Sequence, residues 1–376
     1  MRILVNASNI GKGGAAQVTQ SICEGLIELN QHSFVVVLST SAIQAKGVLP
    51  DDHVIEVIEH SVSRSYFTKI TGREPFLDDL VTTRKIDCVL SVFGPTWWVP
   101  KCPHLCGFAL AHIVMPESPF FRKMKLRTRI KSHLNSRIMS FFYHKCSRYY
   151  YTENEMISER LRKVLKQTKV YTVTNYYNQV FDHPERWKLS SLPPFLGKTF
   201  ITLAAPYPHK NLPIAIDISR YLKNKYPDFL FRFVFSIEEK DYPAIDDELR
   251  CHFVFIGHVS IEECPSLYQQ SDVVFQPTLL ECFTAAYPEA MRMGKPIVTT
   301  DLSFARGLCG KSAIFYSPLS YQEAAESLYL VSTNESLVQS LVHHGREQLK
   351  DFDNYSDRVH KLVSLCELVV SEGSSS

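Results

Sequence analysis

Short apolar runs alternate with longer amphipathic ones along the first half of the chain: "RILVN", "AAQVTQSICEGLIELN", "SFVVVLST", and later "IDCVLSVF" and "HLCGFALAHIV". Brief runs rich in β-branched and aromatic residues, separated by stretches of helical period, predict parallel strands joined by helical crossovers. Such strands are buried on both faces, while a crossover helix needs only one apolar stripe. The alternation lapses over 172–198, "TVTNYYNQVFDHPERWKLSSLPPFLGK", where Asn, Pro and Ser gather. It resumes with "TFITLAA", "FLFRFVFSI", "HFVFIGHV", "DVVFQPT" and "KPIVTTD", each followed by a helical stretch. The expected fold class is therefore α/β, with two Rossmann-like domains whose strand carboxyl ends face a cleft. The expected boundaries are 1–175 for the first domain, 176–197 for the connection and 198–354 for the second domain. An amphipathic helix over 355–370 and a disordered polar tail over 371–376 follow.

Composition narrows this picture only slightly. The 376 residues, 45% of them hydrophobic, are enough for two ordinary cores. A formal charge of +2 and a pI near 8.0 exclude a polyanionic or polycationic protein, so any charge-driven recognition must be local. The opening "MRILVNASNIG" enters a strand without a secretory h-region, and no run approaches a membrane span. The ten cysteines lack framework spacing, which predicts free, mostly buried thiols in a reducing cytoplasm. Cys102, His104 and Cys106 in "KCPHLCGF" lack a fourth ligand at zinc-like spacing, so two packed thiols beside a loop histidine are expected there.

After the first strand, Gly11, Gly13 and Gly14 precede a helix, an arrangement that lets backbone approach a phosphate. Gly11, Gly13 and Ala16 satisfy the dinucleotide fingerprint, which brings a nicotinamide-dependent oxidoreductase into consideration. That function also needs an acid at the end of the second strand, and "VVVLSTSA" has none. The loop alone is equally well explained as a tight turn.

The stretch 279–301, "LLECFTAAYPEAMRMGKPIVTTD", carries Glu281 on a predicted loop after "DVVFQPT" and Glu289 early in a predicted helix that Thr284 can cap. Free N–H groups of Phe283, Thr284 and Ala285 at that helix start suit an anion, and carboxylates suit hydroxyl groups. Spacing alone leaves two solvated acids as the simpler account.

The full context adds a resemblance. The stretch resembles the E-x7-E signature of retaining glycosyltransferases of family 4, which have the GT-B fold, with Glu281 and Glu289 as the two acids. "FVFIGHVSIEECPSLYQQSDVVFQPTLLE", "HKNLPIAID", "VYTVTNYYNQVF", the early glycine loop and the terminal helix are similar to the family's other segments. The resemblance implies that Glu281 contacts the donor sugar, Glu289 the ribose, Lys210 the diphosphate, and Gly257, His258 and Val259 the nucleobase region. It also implies that Gly13 and Gly14 approach the diphosphate and that His112 in "GFALAHIVMP" lies near the reacting centre. Two positions depart from the family. Cys282, Phe283 and Thr284 replace a common Gly-Phe-Gly, and "LAAPYPHKN" has Lys210 but no preceding arginine. His209 reads as a loop residue. The only D-x-D, Asp351 and Asp353, reads as a solvated loop, so neither a metal nor a cofactor beyond the sugar nucleotide is expected.

From Arg122 to Thr152 there is no acidic residue. Leu126, Ile130, Leu134 and Ile138 recur every fourth position, with Arg122, Lys125 and Arg129 on another face. A solvated helix, an anionic membrane surface and nucleic acid are the competing accounts, and near-neutral net charge disfavours nucleic acid. The resulting expectation is a cytoplasmic, peripherally membrane-associated, metal-independent glycosyltransferase of bacterial O-antigen or capsule biosynthesis. Its donor would be a nucleotide-diphosphate sugar and its acceptor a lipid-linked oligosaccharide. The alternatives are an epimerase-like enzyme on the same fold and a non-catalytic nucleotide-sugar-binding partner.

Overall fold

The computed structural model describes all residues except 12, 30, 42, 44–54, 63–65, 167 and 374–376. The chain forms two compact units. The first comprises Met1–Pro116, Lys125–Asn175 and Asp353–Ser376; the second comprises Glu117–Met124 and Tyr176–Phe352.

The first unit is built on seven parallel strands: β1 (Arg2–Ala7), β2 (Ser33–Leu38), β3 (Ile55–Glu59), β4 (Cys88–Ser91), β5 (His104–Gly107), β6 (Tyr149–Thr152) and β7 (Lys169–Thr172), in the order β3-β2-β1-β4-β5-β6-β7. The pleat sends Ile3 and Val5 to one face, with Ile22 and Leu26 of the helix Gly14–Leu29. Leu4, Val35 and Val37 go to the other, with Leu77, Leu80 and Trp98. The terminal helix, Tyr355–Gly373, packs on the helix Gly14–Leu29 and buries Val359, Leu362, Val363, Cys366 and Val369 in this core. Each such side chain contributes about 1.5–3 kcal/mol of burial. A Cβ on Gly25 would lie 2.7 Å from Val359 Cγ2, so a glycine is what lets the two helices approach. This helix runs three residues into the segment expected to be a polar tail, because Lys169 Nζ pairs with Glu372 Oε1 at 2.6 Å. Residues 374–376 of that expectation lie outside the described residues.

The second unit holds six parallel strands: β8 (Lys198–Thr202), β9 (Phe231–Phe235), β10 (Phe253–Phe255), β11 (Val273–Gln276), β12 (Ile297–Thr300) and β13 (Ala313–Tyr316), in the order β10-β9-β8-β11-β12-β13. Phe200, Phe231, Phe233, Phe235, Phe253 and Phe275 fill its core against the helices Ile214–Lys225 and Tyr321–Thr333. Residues 176–197 belong to this unit, and the start of the segment packs on it while most of 182–197 is exposed. Val180 and Phe181 are buried, Trp187 Nε1 donates to Val180 O (2.7 Å), and the Phe181 ring lies 6.0 Å from Tyr268. Glu117–Met124 also belong here, a placement that local periodicity does not reveal.

In both sheets strand order reverses once, between β1 and β4 and between β8 and β11. Open parallel sheets bind ligands at such switch points, beyond the strand carboxyl ends.

Candidate active site

The loops leaving β8 and β11 lie side by side because those strands pair in parallel, Val273 opposite Phe200. They are tied together by Leu279 N donating to His209 O (2.8 Å). This brings Lys210 Nζ to 2.6 Å from Glu281 Oε1, with the two side chains only 13% and 12% exposed. Thr278 Oγ1 donates to the same carboxylate oxygen (2.9 Å), and His209 Nε2 stands 3.6 Å from it. Burial lowers the His209 pKa, with Glu281 opposing and Lys210 reinforcing the shift. His209, expected as a loop residue, is thus part of the charged cluster. Gln276, at the end of β11, is fully buried with neither Oε1 nor Nε2 hydrogen-bonded among the described residues.

Glu289 is buried in the seven-residue helix Ala286–Arg292. Tyr268 Oη donates to its Oε2 (2.8 Å). Burial raises its pKa to about 7, against the Tyr268 hydrogen bond and the charge of Lys210. The helix starts one residue later than Thr284 capping would require. Ala285 flanks it without a side-chain cap, and Thr284 enters only through its carbonyl, which accepts from Tyr287 N (3.4 Å). The N–H groups of Phe283, Thr284 and Ala285 make no hydrogen bond among the described residues. Gly257, His258 and Val259 form the turn after β10, with Gly257 at φ 68 and its Cα side against Glu238. That turn is three strand positions from β11, or about 14 Å at ordinary strand spacing.

In the first unit, Gly13 (φ 89) and Gly14 follow β1 at its switch point, and a Cβ on Gly14 would meet nothing within 4 Å. His112 lies after β5 in the turn of helix Ala111–Val114. Its Nε2 is buried with no hydrogen-bond partner among the described residues, and burial lowers its pKa. Both features favour the neutral imidazole.

Two other readings change, at His104 and at Asp353. His104 is a buried strand residue rather than a loop histidine; it clusters with Cys106 and Cys146, their ligand atoms within 4.8 Å, while Cys102 stands apart. Both His104 nitrogens are engaged, Nε2 with Ser91 Oγ (2.8 Å) and Nδ1 with Cys146 O (3.0 Å), as in a satisfied core histidine. Asp353 is buried, its Oδ2 accepting from Thr174 N (2.8 Å) and its Oδ1 paired with Lys361, so it fixes the chain's return to the first unit. In the helix Leu126–Cys146 the apolar stripe faces solvent: Leu126, Ile130, Leu134, Ile138 and Phe141 are all exposed, as are Lys125 and Arg129. Arg122, also exposed, belongs to the second unit. No helix among the described residues is long and apolar enough to cross a membrane.

Comparison with known proteins gives these features a setting. Residues 193–348 match the family described as "Glycosyl transferases group 1". No curated protein matches the sequence. Among solved structures, sucrose-phosphate synthase from Thermosynechococcus elongatus is similar at TM-score 0.70 and 12% identity, over 99% of each chain. WaaG, a glycosyltransferase involved in lipopolysaccharide biosynthesis, is similar at TM-score 0.68 and 14% identity, over 96% of this chain and 98% of its own. HepE from Anabaena, in complex with UDP and glucose, is similar at TM-score 0.61 and 13% identity, over 97% and 98%. The group 1 match lies in the second unit and spans most of it, and along its whole length the chain has the GT-B fold of these structures.

Proposed function

We propose that the protein is a retaining glycosyltransferase that moves a sugar from a nucleoside diphosphate donor to a hydroxyl acceptor. The observation that carries this reading is the Lys210–Glu281 pair at the β8/β11 switch point. A cation for phosphate and an acceptor for sugar hydroxyls are held within 2.6 Å of each other in a largely desolvated place. Donor binding exchanges their mutual contact for one with each end of the sugar phosphate. The lysine charge then stabilises the leaving diphosphate as negative charge develops on it. Glu289, oriented by Tyr268, holds the ribose, and the turn Gly257–Val259 takes the base across the sheet's carboxyl edge. Phe283, Thr284 and Ala285 present N–H groups to the donor, Gly13 and Gly14 admit the diphosphate, and His112 serves the reacting centre as a neutral hydrogen-bonding group. The chemistry uses no metal.

For the acceptor we favour a lipid-linked oligosaccharide of bacterial O-antigen or capsule assembly. The supports are the exposed apolar stripe on an acid-free helix, with Lys125 and Arg129 at its start and Arg122 a few residues earlier in the chain, and the fold shared with WaaG. That combination suits a peripheral protein on an anionic cytoplasmic membrane face.

A donor panel tests the reaction, with UDP-glucose first because HepE binds UDP and glucose. Acceptor-dependent release of nucleoside diphosphate is expected, and Glu281→Gln should abolish it. An altered sugar nucleotide without release would favour the epimerase-like alternative, and binding without turnover the non-catalytic one.

A further inference from the structure

Glu117–Met124 is the piece of the second unit that the chain supplies from its first half, and its contacts surround the Lys210–Glu281 pair. Ser118 Oγ donates to Leu279 O (2.6 Å), two residues before Glu281. The Phe120 ring stands edge-on to His209, 6.0 Å away, next to Lys210 on one side. Lys123 Nζ donates to Asn211 Oδ1 (2.5 Å), next to Lys210 on the other. Asn211 is 1% exposed and left-handed (φ 53), and its Nδ2 has no hydrogen-bond partner among the described residues. Lys123 makes no ion pair among them either; its partner is a neutral carboxamide.

We propose that Lys123 and Asn211 form a second anion contact of the donor site, both donating to diphosphate oxygens beside Lys210. The proposal rests on the reading of Lys210 as the diphosphate cation. A diphosphate carries more charge than one ammonium neutralises, and Lys210 is shared with Glu281. The loop "LAAPYPHKN" offers no second cation of its own. An ammonium held by a neutral oxygen keeps its charge for an incoming anion. A carboxamide whose oxygen accepts from a cation is in turn a stronger donor at nitrogen. The buried, unpaired Nδ2 is the group such a ligand would satisfy. Burial lowers the Lys123 pKa, with Asp217 opposing, which is the direction expected of a cation awaiting its counter-charge.

Calorimetry with paired probes tests this: UDP against UMP, GDP against GMP, and ADP against AMP. The readout is the preference for diphosphate over monophosphate in the pair that binds. Lys123→Gln should reduce that preference about tenfold without changing monophosphate affinity, as for one lost charge-assisted contact. Asn211→Gly, which keeps the left-handed backbone, should do the same, and Lys123→Arg should retain most of the preference. Because the two side chains act together, the double variant should lose little more than either single one. If Lys123→Gln fails to fold, Lys123→Arg and Asn211→Gly carry the test. An unchanged preference in Lys123→Gln and Asn211→Gly, with Lys210→Ala abolishing it, overturns this inference alone. An unchanged preference in Lys210→Ala as well overturns the underlying reading of the donor site.

Discussion

The two units place opposite chemistry at the same point of the same kind of sheet. At the β8/β11 switch the second unit holds a lysine, two glutamates and a histidine, locked by hydrogen bonds between adjacent loops. At the β1/β4 switch the first unit holds glycines, and the imidazole after β5 has an unpaired buried nitrogen. The fold supplies the location in both cases. What differs is what stands at the switch point, charged side chains in the second unit and bare backbone in the first, and charge is concentrated in the unit proposed to hold the phosphates.

The largest effect that would break this comparison is expected from Lys210→Ala. It should depress turnover by two to three decades, about 3–4 kcal/mol, and donor affinity by less. Full turnover at saturating donor, with His209→Ala inactive instead, would move the charge-stabilising role to the histidine.

A second test concerns the buried carboxylate in each unit. Burial raises Glu153 in the first and Glu289 in the second from the usual range to about 7. An acid whose folded pKa exceeds its unfolded value binds its proton more tightly in the native state. Native stability should therefore fall as pH rises from about 4.5 through 7, then level off. Each residue contributes about 3 kcal/mol at most. Glu153→Gln and Glu289→Gln should each flatten part of that slope in thermal melts between pH 5 and 8, Glu153→Gln through the unit closed by Arg358. Parallel slopes in wild type and both variants would refute it.

The membrane reading predicts a smaller, additive effect. Changing Arg122, Lys125 and Arg129 to Gln should weaken sedimentation with phosphatidylglycerol vesicles at low salt by about 1 kcal/mol per residue. Unaltered sedimentation would leave the stripe Leu126–Phe141 a solvated face. Backbone effects are of similar size: Gly13→Ala, at φ 89, should destabilise by about 1 kcal/mol, while Gly14→Ala should fold as wild type. The smallest expected effect is none: EDTA should leave turnover unchanged, and loss restored by manganese would show that a metal neutralises the diphosphate.

The alternation of apolar runs made both sheets legible, since parallel strands need two apolar faces. Spacing alone did not single out Glu281, Glu289 and Lys210, since two solvated acids fit it equally well; the resemblance of their segments to a family pattern did. Three things were not legible because they depend on contacts distant in sequence. Tyr268 beneath Glu289, His209 beside Glu281 and the docking of Lys123 on Asn211 are set by packing, not by local period. The stripe in the helix Leu126–Cys146 shows the converse limit. Its spacing is what a buried face would show, yet those side chains lie in solvent, so periodicity alone did not reveal what they meet.

The segment Glu117–Met124 also bears on how such proteins diversify. The chain passes between its two units at four places, because this short piece is lent by the first half to the second. Recombination at 175/176 would exchange the first half but leave the terminal helix, which completes its core, with the second. It would also replace Ser118, Phe120 and Lys123, and with them the surroundings of Lys210 and Glu281. On the proposed reading of that pair as the donor site, a hybrid would keep its donor preference only if these eight residues travelled with the second half.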